Sequence, residues 1–153
     1  MSTPEERLEE LGLALPDAPA PAAAYVPYTR TGELIFTAGQ VAVADGQMIA
    51  TGRLGDELAV EDGVACARQC ALNVIAQLKA AAGELDEIRR VVKLTVFVAS
   101  APDFTDQHLV ANGASELIGE VFGEAGRHAR SAVGVAALPL GSPVEVEAIA
   151  EIA

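Results

Sequence analysis

The chain has 153 residues, 22 of them acidic and 10 basic, for a formal net charge of −12. That length suits one domain with a real core. The charge argues against RNA or an anionic membrane as a partner, because both are gripped by basic surfaces. Trp is absent and aromatics make up 4% of the residues, so the core is built from Ala, Val, Leu and Ile.

In chain order, Thr3-Pro4-Glu5-Glu6 opens a short helix. Thr3 caps it, Pro4 suits its first turn and Glu6 completes a capping box. Leu8, Leu11 and Leu15 give it a thin apolar stripe. Met1 to Glu10 is polar and acidic, unlike a secretory leader. No run approaches the apolar length that spans a bilayer, and the expected location is the cytoplasm. Pro16 to Ala24 is rich in Pro and Ala and reads as a linker on the surface. Residues 1–153 are expected to form one domain, with residues 1–24 as N-terminal helix and linker.

Tyr25 to Thr29 and Glu33 to Ala38 read as strands joined by a turn at Thr31-Gly32. A short strand follows near Val41 to Val43. Asp45-Gly46 signals a hairpin that returns through Met48-Ile49. Ala59 to Ala82 has the strongest helical periodicity, with Val60, Val64, Ala67, Ala71, Val74, Leu78 and Ala81 at spacings of three and four. Gly83 stops it. Cys66 and Cys70 lie within it, with no His or further Cys nearby, and read as small buried side chains rather than metal ligands.

Val91 to Val98 reads as a central strand, with Val92, Leu94, Val96 and Val98 on one face. Asp103 to Phe122 predicts a second helix anchored by Phe104, Leu109, Leu117, Ile118 and Phe122. Ser131 to Ala137 and Val144 to Ile152 are the last strands. The order β-β-β-α-β-α-β-β describes an α+β layer, a sheet covered on one face by two helices. The other face would be bare and aliphatic, which predicts a homo-oligomer packing sheet against sheet.

No Ser-His-Asp set, Walker loop, Gly-x-Gly-x-x-Gly stretch or His-Glu-x-x-His helix occurs. What remains is Arg130, at the head of a nearly charge-free strand, and the acidic strand carrying Glu145 and Glu147. A partly desolvated guanidinium seeks an anion and matches a carboxylate with two hydrogen bonds. Arg130 either grips a ligand carboxylate or forms an ion pair with Glu145, Glu147 or Glu124. Glu145 lies close to the turn after Pro143, where a carboxylate can orient a water or shuttle a proton. Tyr25 and Tyr28 either pack or bond a ligand. Asn112, before Gly113, is either a turn residue or a binding residue.

The C-terminal run from Ala129-Arg130-Ser131 through Leu138-Pro139 to Val144-Glu145-Val146-Glu147-Ala148-Ile149-Ala150 resembles the signature of the RidA/YjgF family of reactive-intermediate (enamine/imine) deaminases. Leu34 to Gln40, Ala67 to Val74 and Val92 to Val98 are similar to three further blocks of that family. The resemblance runs from about Tyr25 to Ala150. It implies a chorismate-mutase-like fold assembled as a homotrimer with clefts between subunits, working without a cofactor or metal. It also implies that Arg130 binds the substrate carboxylate and Glu145 handles a water, while Tyr25, Ala38, Gly39, Asn112 and Ala132, the last through its backbone N–H, line the pocket. Two positions depart from the pattern. Ala38 stands where family deaminases usually carry serine, and Ala132 where many carry cysteine.

The activity so implied is hydrolysis of 2-imino or 2-enamino acids to 2-oxo acids and ammonia. A non-catalytic module that binds a small carboxylate is the alternative. A ribonuclease or translation inhibitor, names attached to relatives, is disfavoured by the acidic charge and the lack of a histidine pair.

Overall fold

The computed structural model describes residues 2–20 and 23–153. Helix α1 (Pro4–Glu10) carries the capping box: Thr3 Oγ1 accepts from Glu6 N at 3.2 Å, and Glu6 Oε2 accepts from Thr3 N at 2.9 Å. Its buried residues are Pro4 and Leu8, and two long-range bonds fix its position. Glu5 Oε1 accepts from Leu85 N at 2.9 Å, and Arg7 Nη1 donates to the Val121 carbonyl at 3.1 Å. The expected stripe is shorter than predicted. The helix ends at Glu10, so Leu11 is exposed and Leu15 packs on the core from outside the helix.

Eight strands follow: β1 (Tyr28–Thr31), β2 (Leu34–Thr37), β3 (Gln40–Val41), β4 (Val43–Ala44), β5 (Gln47–Met48), β6 (Ile88–Ala99), β7 (Ala129–Val135) and β8 (Val144–Ile152). The long helices are α2 (Val60–Ala82) and α3 (Gln107–Phe122). The main sheet runs β1-β2-β8-β6-β7, with β3 also paired to β8. Only β6 and β7 are parallel; β4 and β5 form the separate hairpin announced by Asp45-Gly46. The α+β layer is as expected, but β1 begins three residues later than Tyr25, and the strand expected near Val41 to Val43 is split between β3 and β4.

Both long helices cover one sheet face. Leu94, Val96 and Val98 of β6 and Val144, Val146 and Ala148 of β8 are buried beneath them. Val92, predicted to share that face, is 37% exposed instead. A register shift between Val91 and Lys93 marks a bulge, which turns Val91 inward and Val92 outward. α3 starts at Gln107 rather than Asp103, and Leu109, expected as an anchor, is 41% exposed. The buried stripe of α3 is Val110, Ala114, Leu117, Ile118 and Val121 at helical spacing, and Leu109 falls outside it. Gly113 sets how closely the helices meet, because a Cβ there would overlap the Val64 carbonyl of α2.

The other sheet face is open. Phe97 and Ile149 are partly exposed on it, with Phe36 at 38% and Val133 at 43%. Lys93, Thr95, Glu145 and Glu147 share this face with them, by the alternation along β6 and β8.

Candidate active site

The pairing registers place the two principal residues. Arg130 of β7 lies opposite Leu94, which is buried under the helices, so the Arg130 side chain leaves the helix-covered face. Glu145 of β8 lies opposite Phe97 on the open face. Strand spacing and rise put their Cα atoms about 14 Å apart, with the side chains on opposite sides of the sheet. The two residues line separate cavities. Within one chain they do not meet.

Arg130 reaches across to α3. Its Nη1 donates to Asn112 Oδ1 at 3.0 Å and to Ser115 Oγ at 3.1 Å, and its Nη2 donates to the His108 carbonyl at 3.1 Å. All three acceptors are neutral. Among the described residues no carboxylate pairs with it, so an ion pair with Glu145, Glu147 or Glu124 is not the explanation for this arginine. A guanidinium has five N–H donors. Three are used here, leaving Nε–H and one N–H of Nη2, on neighbouring nitrogens, to accept an anion in a bidentate fork.

A further link orders this group. His128 Nδ1 lies 2.6 Å from the Gly126 carbonyl, which can only accept, so Nδ1 carries the proton. In the neutral ring Nε2 then accepts from the Ser115 hydroxyl, 2.9 Å away. That hydroxyl presents its lone pairs to Arg130. Ser115, Gly126, Arg127, His128 and Arg130 border a wide shallow cavity. Sequence reasoning singled out Asn112 as a turn or ligand-binding residue, not as an acceptor for Arg130, and did not single out Ser115 or His128. The available signal was spacing, because residues three apart on a helix share a face.

Glu145 sits in the second cavity, about 780 Å³ in volume, beside Tyr25, Gly39, Gln40 and Asn73. Gly39 permits the carboxylate's position, since a Cβ there would overlap Glu145 Oε2. Burial, and then the Glu147 carboxylate on the same strand, push the Glu145 carboxyl above its usual range. Among the described residues no Lys or Arg lines this cavity. Asn73 of α2, almost fully buried, donates to the Val41 and Val43 carbonyls at 3.0 and 2.9 Å and so fixes the β3–β4 wall.

Tyr25 precedes β1 and lines the cavity, whereas the Tyr28 hydroxyl donates to the Ala80 carbonyl at 3.4 Å and is structural. Ala38 and Ala132 border neither cavity; Ala132 packs against the core. The stretch expected to be a mere surface linker does more than connect. Pro16, Asp17, Pro19 and Ala20 wall the Glu145 cavity, while Pro21 and Ala22 lie outside the described residues.

The thiols are unsuited to nucleophilic work. Burial, with Asp62 nearby, raises Cys66 to about 11, and burial raises Cys70 further above its usual value. Among the described residues no group of three or more His, Cys, Asp or Glu side chains could hold a metal ion. No helix among them is long and apolar enough to cross a membrane.

The family model described as "YjgF/chorismate_mutase-like, putative endoribonuclease" matches residues 5–152. The chain belongs to the YjgF family. This YjgF-family chain is 54% identical over 146 residues to protein TCP17 of Trypanosoma cruzi, covering 95% of this chain and 91% of that protein. It is 34% identical over 133 residues to a 2-iminobutanoate/2-iminopropanoate deaminase of Rattus norvegicus, covering 87% of this chain and 83% of that protein. Its fold matches the crystal structure of a protein of unknown function from Agrobacterium tumefaciens with a TM-score of 0.92 at 50% identity, over 98% of this chain and 92% of that one. The chorismate-mutase-like YjgF fold is therefore the fold of this chain, and deaminases are among its family.

Proposed function

We propose that the protein hydrolyses 2-imino and 2-enamino acids to 2-oxo acids and ammonia, in sites completed between copies of the chain in a homotrimer. The observation that carries this reading is a pair of groups of complementary charge. Among the described residues Arg130 has two N–H donors unused and no carboxylate partner, while Glu145 occupies a roomy cavity that no Lys or Arg lines. They stand on opposite faces of one sheet, so the Arg130 of one copy must serve the Glu145 of another. The deaminase names among the relatives agree with this chemistry.

The steps follow from the groups present. Arg130, with Asn112 and Ser115 bracing it, grips the substrate carboxylate and fixes the C=N carbon. An enamine first tautomerises to the imine. Glu145 accepts a proton from a water as its oxygen attacks that carbon and returns that proton to the nitrogen, forming a carbinolamine. Glu145 then takes the hydroxyl proton and passes it to the amine, the C–N bond breaks, and ammonia leaves as the C=O forms. The raised pKa of Glu145 makes it a stronger base than an exposed carboxylate and able to return the proton. The imine hydrolyses in water unaided, so orientation and one proton relay supply sufficient acceleration.

The test is ammonia release from an imino acid generated in situ by an amino-acid oxidase. The wild-type protein accelerates it, while Arg130→Ala and Glu145→Gln each abolish the acceleration. Co-refolding the two variants restores part of it, because mixed assemblies contain sites with both native groups. A protein no faster than buffer would leave only carboxylate binding.

A further inference from the structure

This inference rests on the deaminase reading and concerns the side chain of the substrate. We propose that the Glu145 cavity selects 2-imino acids with long, uncharged, apolar side chains, and that Leu140 and the Pro16–Ala20 segment form the walls of that side-chain subsite.

Three observations support it. The first is size: the cavity of a single copy, about 780 Å³, lies within the range of pockets that enclose drug-sized ligands. The second is polarity. The charged residues lining the cavity are Asp17, Asp45 and Glu145, all acidic, and Pro16, Pro19, Val43, Met48 and Leu140 supply apolar surface. With the substrate's own carboxylate bound by Arg130 from another copy, a second carboxylate entering here meets only like charge.

The third observation is how the walls are held. Leu140, at the cavity and 65% exposed, adopts φ 62° and ψ 14°, a left-handed conformation that disfavours branched side chains. A strained, exposed apolar residue beside a candidate site is poorly explained by folding alone. The opposite contribution comes from the N-terminal segment. Its prolines restrict the backbone, the Pro19 carbonyl accepts from the buried Gln77 Nε2 at 2.7 Å, and α1 is tied down upstream. This wall is built before a ligand arrives, so little ordering cost falls on binding.

The experiment compares kcat/KM of the full chain for imines generated in situ from alanine, leucine, glutamate and arginine. Burying a methylene favours binding roughly fourfold, so the three added carbons of the leucine-derived imine predict a preference on the order of 10- to 60-fold over the alanine-derived one. The glutamate-derived imine falls below both. Leu140→Gly relieves a backbone that glycine prefers, so the protein folds, yet the leucine-to-alanine ratio falls several-fold. Ala20→Trp, at an exposed position, fills the subsite and lowers the same ratio. Equal rates for the leucine- and alanine-derived imines overturn the inference, as does a preference for the glutamate- or arginine-derived imine, or a ratio unmoved by both variants, while the deaminase reading survives. If no imine is turned over faster than in buffer, the deaminase reading itself fails and this inference falls with it.

Discussion

Gly39→Ala separates the position of the Glu145 carboxylate from the stability of the fold. A Cβ at residue 39 would lie 2.7 Å from Glu145 Cδ and 3.0 Å from its Cγ, besides overlapping Oε2. Carbon atoms in ordinary contact are about 3.5–4.0 Å apart, so the carboxyl must retreat by about 1 Å. The atoms that move are the end of a flexible side chain, and Gly39 does not have the positive φ that only glycine tolerates well. The stability cost is therefore small, and the lower backbone entropy of the unfolded alanine variant offsets it by about 0.4–1 kcal/mol. A displacement of that size at a reacting group costs about 100-fold in rate. The expected result is a melting temperature close to wild type with kcat/KM for a 2-imino acid lowered about 100-fold. A variant that keeps kcat/KM within twofold would refute the role assigned to Glu145, and one that fails to fold would refute the packing argument.

Two further outcomes test the electrostatics and the guanidinium brace. The acid limb of the kcat/KM–pH profile should lie above the ordinary carboxylate range, since burial and then Glu147 hold the Glu145 carboxyl up. Glu147→Gln removes the smaller cause and should shift that limb to lower pH without abolishing it; an unmoved limb would mean that another group titrates. Ser115→Ala removes one acceptor from Arg130 and the partner of His128 Nε2, and should raise the Kd for a 2-oxo acid about 5- to 10-fold, the order of the ~1 kcal/mol net value of one hydrogen bond. Calorimetry that finds unchanged affinity would show that Ser115 does not hold the fork.

Much of this molecule was legible in its residues because the relevant patterns are local. The capping box at Thr3 and Glu6, the periodicity ending at Gly83 and the Asp45-Gly46 hairpin depend on neighbours a few positions away, and the fold contains each. The errors arose where tertiary context decides. Nothing between Val91 and Lys93 announces a bulge, so period-two alternation put Val92 on the wrong face. Leu109 is apolar enough for a core, but the orientation of α3 is set by Gly113 meeting Val64. At the site, composition alone left Arg130 divided between an ion pair and a ligand. Its actual acceptors, including the His108 carbonyl, carry no sequence signature. The role of Pro16 to Ala20 was equally hidden, because a proline-rich stretch reads the same whether it floats or lines a wall.

The placement of acid and cation on opposite sides of one sheet bears on how such a protein behaves at low abundance. If catalysis needs Arg130 from a neighbouring molecule, specific activity must follow the law of mass action and fade on dilution below the dissociation constant of the assembly. The same condition implies a head-to-tail arrangement, in which each copy would lend one group and borrow the other, and a closed ring of this kind would leave no half-site unused.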